Sequence, residues 1–411
     1  MRLLIVTPHY PPDGGPSAPL FQMLAEEFVR RGHAVCVVCG TPHYPSGMPP
    51  AGWVPGESAA ETVGGVHVAR VSMPAVDRTR LPFRLLQFAA YQLRGAFAVR
   101  RQTFDAVIAS GPGLQTLLPF AIARRHARRS VYSVHDVYPD VGISLGIFRH
   151  RPVIAVVRAL ERAAIRAGDR VRFLAPGFRE RLARLGAADA QLSFIPDWVD
   201  TNFIRPCPRD NAFAREHGLV ERFVVLYGGN LGLSQGLASV LAAADLLRET
   251  PRVRFVFVGD GAGRAALEVE ATQRRLDNVQ FIPYQARERL PEVLSTADVG
   301  LISMRRGFSD SLPSKVYSHL ASGRALLAAV DPGGDVATLL ARTDAAVLTP
   351  PEDPVALAHA VRGLASLPPA TLQAMGARGR SFAERYHSPA AAATAFEELL
   401  STIAMCEQVA V

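Results

Sequence analysis

The chain opens on an apolar, β-branched run, RLLIVTP, that stops at Pro8 and leads into the stiff stretch YPPDGGPSAPL, Tyr10 to Leu20. Apolar residues then recur at helical spacing through LFQMLAEEFVRRGH, and Gly32 marks the stop. A second unbroken apolar run, AVCVVCG, follows directly. Strand, loop, helix and strand in this order predict a parallel sheet with right-handed crossovers, and FDAVIASG and RSVYSVHD continue the pattern. The same grammar restarts at Arg222. RFVVLYGGNLGLSQG repeats the run and its glycine loop, LASVLAAADLLRE supplies a helix, and VRFVFVGDG, VQFIPY and ADVGLIS read as further strands. The pattern predicts an α/β chain of two facing doubly wound, Rossmann-like domains, residues 1–200 and 201–381. Residues 382–411 form a closing helix that can return to the first domain. Pro196 and Pro206 make FIPDWVDTNFIRP a defined connector. A length of 411 residues fits two domains rather than one core.

Composition sharpens this picture in three places. Hydrophobic residues make up 49% of the chain and charged ones 20%, the balance of a soluble globular protein. Four cysteines give no disulfide framework and point to a reducing compartment; the C-x-x-C of Cys36 and Cys39 lies inside an apolar run and reads as strand packing. The break at Pro8 comes too early for a signal-peptide core. Charge is uneven: residues 1–206 carry 25 Arg against 15 acids, a balance of +10, and the remainder balances at −2. The first half therefore prefers an anionic partner. Of 45 basic residues, Lys315 alone is lysine.

Two segments bear on that partner. Leu81 to Val99 is apolar, but Arg84 and Arg94 interrupt it, which excludes a membrane span. Arg80, Arg84, Gln87, Tyr91 and Arg94 step by three or four and form one polar stripe; Arg158, Arg162 and Arg166 form another. Such helices either rest in a membrane or acceptor interface or pack on the protein with Arg facing water.

In doubly wound sheets, ligands bind beyond the carboxyl ends of the strands. Gly14 and Gly15 in one half, and Gly228, Gly229 and Gly232 in the other, stand at such ends, where amides and helix termini favour a phosphate. Neither loop is G-x-G-x-x-G, and no G-K-[ST] follows. With no D-x-D at a strand end and no clustering of histidines, no metal is expected.

PHYPPDGG, SVHDVYPD, YGGNLGLSQG, FVGDG, NVQFIPY and LPSKVYSHLASG, in that order, resemble two-domain glycosyltransferases of the GT-B type across nearly the whole chain. The nearest likeness is to family 4 transferases that build bacterial surface polysaccharides, among them fucosamine and colanic-acid transferases. The resemblance implies a nucleotide-sugar donor in the second domain and a polyprenyl-diphosphate-linked or glycan acceptor in the first. It implies retaining, metal-independent transfer without a cofactor, at the inner face of the cytoplasmic membrane. Carried over by position, Gly14 and Gly15 approach the donor phosphates, and Gly229, Asn230, Gly232, Ser234 and Gln235 hold the diphosphate. Asp260 and Gly261 form the turn after FVGDG. Phe281, Pro283 and Tyr284 lie beside the nucleobase. His135 and Asp136 form the acceptor-side pair; Asp at a strand end also serves as an ordinary helix cap.

Two departures follow. The family's two glutamates, eight positions apart, are here Asp310 and Ser318, and its basic pair in the second glycine loop is here Asn230 and Gln235. A diphosphate leaving group in a dry cleft needs a cation, and Lys315, after Pro313 and Ser314, is placed to supply it. A nucleotide-sugar epimerase of the same shape is one rival, though the basic first half disfavours it. A non-catalytic partner of a polysaccharide assembly complex is another, kept alive by the missing charges. Nucleic-acid binding is disfavoured, because the arginines are not interleaved with aromatics on a recognisable module.

Overall fold

A parallel strand covered on both faces needs no alternation of polar and apolar residues, and here each apolar run becomes such a strand. The computed structural model of the chain describes residues 1–409 apart from 55–56, 79, 145 and 309–311, with side chains as far as Ile403. It divides into two units, residues 1–197 with 389–411, and residues 198–388.

The first unit is built on β1 (Arg2–Val6), β2 (Ala34–Gly40), β3 (Ala59–Val63), β4 (Val66–Val71), β5 (Phe104–Ser110), β6 (Ala127–Val134), β7 (Arg170–Phe173) and β8 (Leu192–Phe194). Their order is β3-β4-β2-β1-β5-β6-β7-β8, all parallel except the β3–β4 pair. Strand β3 is short and largely exposed, which blunts that edge. The accompanying helices are α1 (Ala18–Arg30), α2 (Leu81–Val99), α3 (Gly113–Arg124), α4 (Asp140–Ser144), α5 (Arg151–Ala167) and α6 (Phe178–Arg184).

The second unit carries β9 (Phe223–Gly228), β10 (Val253–Val258), β11 (Val279–Ile282), β12 (Val299–Ser303), β13 (Ala325–Ala329) and β14 (Ala346–Thr349). Their order, β11-β10-β9-β12-β13-β14, is wholly parallel. Its helices are α7 (Ala212–Glu216), α8 (Leu237–Asp245), α9 (Arg264–Gln273), α10 (Leu290–Ser295), α11 (Lys315–Ala321), α12 (Asp335–Leu340), α13 (Pro354–Ser366) and α14 (Pro369–Tyr386). Strand order reverses beside β1 in one sheet and beside β9 in the other, so each glycine loop leaves a point where a doubly wound sheet opens to a ligand.

The last helix, α15 (Pro389–Val409), belongs to the first unit. Glu397 takes Arg31 at 2.7 Å and His33 at 2.8 Å, and Arg31 also donates to the Ala390 carbonyl. Cys36 and Cys39 are buried in β2, where burial pushes their thiols up to about 11 and about 12.

The middle of the polar stripe of α2 faces the protein: Gln87 and Tyr91 are buried and Arg84 half-buried, while Arg80 and Arg94 at its ends stay exposed. Gln87 donates to the carbonyls of Gly47 and Pro74, Tyr91 to that of Val38, Arg84 to that of Arg78, and Arg94 to that of Ser72. Loop carbonyls beneath the helix need donors, and the stripe supplies them. Of the arginines proposed to face a membrane or acceptor, Arg80, Arg94 and Arg162 are exposed and Arg84 and Arg158 are half-buried; Arg84 and Arg94 also donate to backbone carbonyls. Among the described residues no helix is long and apolar enough to cross a membrane.

Helix α5 buries one carboxylate, Glu161, which accepts from the Gly113 amide at 2.8 Å and the Tyr132 hydroxyl at 2.7 Å. Burial pushes its carboxyl up to about 7, against the two hydrogen bonds that lower it. The unfolded chain therefore releases this proton at lower pH than the folded one, so the group erodes stability as pH rises from the ordinary carboxylate range to about 7. Urea unfolding at pH 5 and pH 8 should show that loss in the native chain. Glu161→Gln should shrink it, and an unchanged pH dependence in the variant would remove Glu161 as its source.

Candidate functional site

In the second unit the loop after β9 and the turn after β10 lie backbone against backbone. A Cβ on Gly259 would come within 2.0 Å of the Gly229 carbonyl oxygen, and one on Gly261 within 2.4 Å of Asn230. Only glycine fits these two turns. The Leu231 amide donates to the Asp260 carbonyl, and the Asp260 carboxylate accepts from the Gly261 amide at 2.7 Å.

Beside this pair of loops lies a cavity of about 480 Å³, a size suited to a small molecule. It brings together Gly229, Asn230, Tyr284, Ser314, Lys315 and Ser318 from the sequence-derived set. Its remaining wall includes Gln285, Arg287, Val293, Leu294 and His319. Gly232, Ser234, Gln235, Asp260, Gly261, Pro283 and Pro313 are outside that wall. Phe281 is half-buried and packs against the core, stacked on Phe257 at 5.0 Å. Asp310 lies outside the described residues.

Lys315 opens α11 beneath the glycine loop, its Cε 4.0 Å from where a Gly229 Cβ would stand. Its ammonium donates to the Tyr227 hydroxyl and, at 3.0 Å, to the Gln235 side-chain Oε1, and sits 4.1 Å from the Tyr227 ring centre. Tyr227 in turn donates to the Asn230 carbonyl at 2.7 Å. No carboxylate neutralises this lysine among these contacts, and burial pushes it down to about 7. One turn on, His319 is 1% exposed, and among the described residues neither ring nitrogen has a hydrogen-bond partner. Burial, and then the charge of Lys315, push it down to about 3, so the ring stays neutral.

The first unit builds its loop on Asp13. One carboxylate oxygen accepts from the Gly15 amide at 2.8 Å and from His9 Nδ1 at 3.1 Å; the other accepts from the amides of His43 and Tyr44. His9 and His43 stack at 5.0 Å. The histidines thus do cluster, contrary to the sequence reading, because the chain returns to β1 after 30 residues and brings His43 back to Asp13. His43 Nδ1 donates to the Thr41 carbonyl at 2.8 Å, and burial pushes the ring down to about 4. Burial opposes ionisation of Asp13, but the histidines and amides outweigh it and hold the carboxyl down at about 2. With these bonds made, the three residues brace the loop. Arg78 is buried close by, its guanidinium over the Tyr44 and Phe88 rings.

At the end of β6, His135 lies 3.4 Å from the Ser133 hydroxyl and 3.8 Å from Asp197, which Arg172 holds at 2.6 Å. Burial pushes His135 down to about 4. The packed surroundings, and then the charge of Asp197, push the Asp136 carboxyl up to about 6, although that side chain reaches solvent. Sequence reasoning missed His9, Asp13, His43, Arg78, Tyr227 and His319. Tyr227 alone carried a local signal, as the residue just before the second glycine pair.

Comparison with known proteins agrees across both halves. Residues 15–198 match the glycosyl transferase 4-like domain, and residues 209–382 the glycosyl transferases group 1. The chain is 29% identical over 344 residues to the putative colanic acid biosynthesis glycosyl transferase WcaI of Escherichia coli, covering 79% of this chain and 82% of that one. It is 26% identical to the probable glycosyltransferase WbjE of Pseudomonas aeruginosa, covering 77% and 79%. Among solved structures, sucrose-phosphate synthase of Thermosynechococcus elongatus superposes with a TM-score of 0.73 at 17% identity, covering 99% and 100%. HepE of Anabaena in complex with UDP does so at 0.68 and 15%, covering 98% and 100%.

The Gly15–His9 contact gives a direct test of the first loop. A Cβ on Gly15 would stand 2.3 Å from His9 Cγ. Gly15→Ala should cost about 1–3 kcal/mol through overpacking. In a His9→Ala background the same change should cost far less, giving a clear coupling in a double-mutant cycle followed by chemical unfolding. Equal costs in both backgrounds would mean that the ring does not set the need for glycine.

Proposed function

The chain belongs to the two-domain GT-B glycosyltransferases of family 4, and we propose that it moves a sugar from a nucleoside-diphosphate sugar to a polyprenyl-diphosphate-linked or glycan acceptor in surface-polysaccharide synthesis. The relative named for colanic acid biosynthesis supports the pathway class, and the neighbour solved with UDP supports a nucleotide-bearing donor. The observation that carries the reading is Lys315: a buried ammonium with neutral partners, under a glycine loop, on the wall of a cavity.

In this reading the diphosphate lies against the Asn230 amide, beside the side-chain-free surface of Gly229, whose own amide is bonded to the Val258 carbonyl, and Lys315 exchanges Tyr227 and Gln235 for phosphate oxygens. Gly232, Ser234 and Gln235 hold the loop, as Asp260 and Gly261 hold its partner turn. Tyr284 and Arg287 flank the base; the Ser318 hydroxyl meets the ribose where the family has a carboxylate. Breaking the anomeric bond sheds negative charge onto the diphosphate, where aimed amides and an ammonium stabilise it most. By their match to the family's motifs, Gly14 and Gly15 belong to its phosphate-approaching loop, and Asp310 orients sugar hydroxyls. His135, neutral at physiological pH, or Asp136 receives the acceptor proton, a contribution of roughly 10²–10⁴-fold. A retaining course lets the leaving phosphate take that proton instead. Lys315 and the amides supply the positive field, so the transfer is metal-independent. The enzyme works as a peripheral protein on the inner face of the cytoplasmic membrane.

Thermal stabilisation across a panel of nucleoside diphosphates should identify one base, because a ligand bound only by the folded state raises its melting point. Lys315→Ala should abolish that shift and lower donor turnover at least a hundredfold with the fold intact; unchanged turnover would exclude Lys315. The cation is full below about pH 7 and is lost as pH rises through that value in the empty site. Donor KM should therefore climb in alkali for the native enzyme and stay flat for Lys315→Ala.

A further inference from the structure

Helix α2 buries two of its polar residues and leaves large apolar ones in water. With Gln87 and Tyr91 turned inward, Leu86, Ala89, Leu93 and Phe97 form a single outward ridge at spacings of three and four. Leu93 and Phe97 are 65% and 67% exposed. A helix on a water-facing surface places its apolar side inward. The ridge continues onto its neighbours. Gly95 seats α2 on Pro119 of α3, and Gly113 seats α3 on Leu160 and Ala164 of α5. Leu118 on α3 and Val153 and Val156 on α5 add exposed apolar surface.

Charge identifies the occupant. The only carboxylate on these three helices is Glu161, and it is buried under α3. Cations accompany the ridge: the Arg100 guanidinium lies over the Phe97 ring, and Arg162 and Arg166 are exposed along α5. A second copy of this chain, joined by the same face, would set arginine against arginine. An anionic headgroup layer above hydrocarbon matches both features.

We propose that the α2–α3–α5 face of the first unit seats in an anionic lipid surface, with Leu86, Leu93 and Phe97 entering the acyl boundary and the arginines meeting headgroups. This deepens the peripheral placement given above and takes from it only that the protein acts at a membrane. It also reverses the sequence expectation for α2, since the apolar ridge and not the Arg84–Arg94 stripe makes the contact.

The test is flotation of the full chain with vesicles of phosphatidylcholine, alone or with phosphatidylglycerol. The native chain should float with the anionic vesicles at low salt and lose them as salt rises. Leu93→Glu with Phe97→Glu should cut the bound fraction at least tenfold, with an unchanged melting point as the control on folding. Arg162→Glu with Arg166→Glu should remove the preference for anionic vesicles. Failure of the native chain to float, or equal flotation of the Leu93/Phe97 variant, overturns the proposal. So does a dimer that the same pair dissolves when no vesicle is bound, which would assign the face to a second copy. The nucleoside diphosphate panel, run on the Leu93/Phe97 variant, keeps the two readings apart. Lost flotation with an unchanged thermal shift supports the membrane face. Flotation of a native chain that no nucleotide stabilises also supports it, while removing the donor reading.

Discussion

The Gly229 carbonyl leaves no room for a side chain at Gly259, and this approach of main chain to main chain sets the geometry of the second unit's cavity. It fixes the loop after β9 against the turn after β10, at the place where strand order reverses. Asn230 and Tyr227 are then locked by a shared hydrogen bond, and among the described residues Lys315 below them is bonded to neutral oxygens and to no carboxylate. A buried ammonium that meets only neutral oxygens is costly, and its pKa falls accordingly.

The first unit solves a similar problem with the opposite charge. Asp13 is buried, yet four donors converge on it, so it remains ionised far below neutral pH. One loop is therefore organised around a satisfied anion, the other around a cation whose partners among the described residues are dipoles. The asymmetry matches the division of labour in the proposed reaction, in which the anionic donor belongs to the second unit.

Much of this was legible in the sequence, for definite reasons. Strands buried on both faces must be apolar throughout, and tight strand-end turns must be glycine, so both sheets and both loops stand out locally. Lys315 stood out as the sole lysine, but nothing in its neighbourhood disclosed Tyr227, 88 positions earlier. His9 and His43 are likewise joined only by the return of the chain. Helix α2 shows a different failure. Periodicity separates its polar and apolar sides but does not say which one faces inward; the carbonyls of Gly47, Pro74 and Val38, far apart in sequence, decide that. Phe281 was matched to the nucleobase by position, whereas its pairing with Phe257 across adjacent strands draws it against the core.

The return of α15 to the first unit has a consequence for synthesis. The acid that clamps Arg31 and His33 is residue 397, so the ribosome must pass more than 360 residues beyond that pair before the clamp can close. The second unit is complete in sequence at residue 388 and is free to mature while the N-terminal sheet still lacks its final cover. Birth order and completion order are thus inverted, and nascent chains stalled ahead of residue 389 would expose the flank of α1 to chaperones.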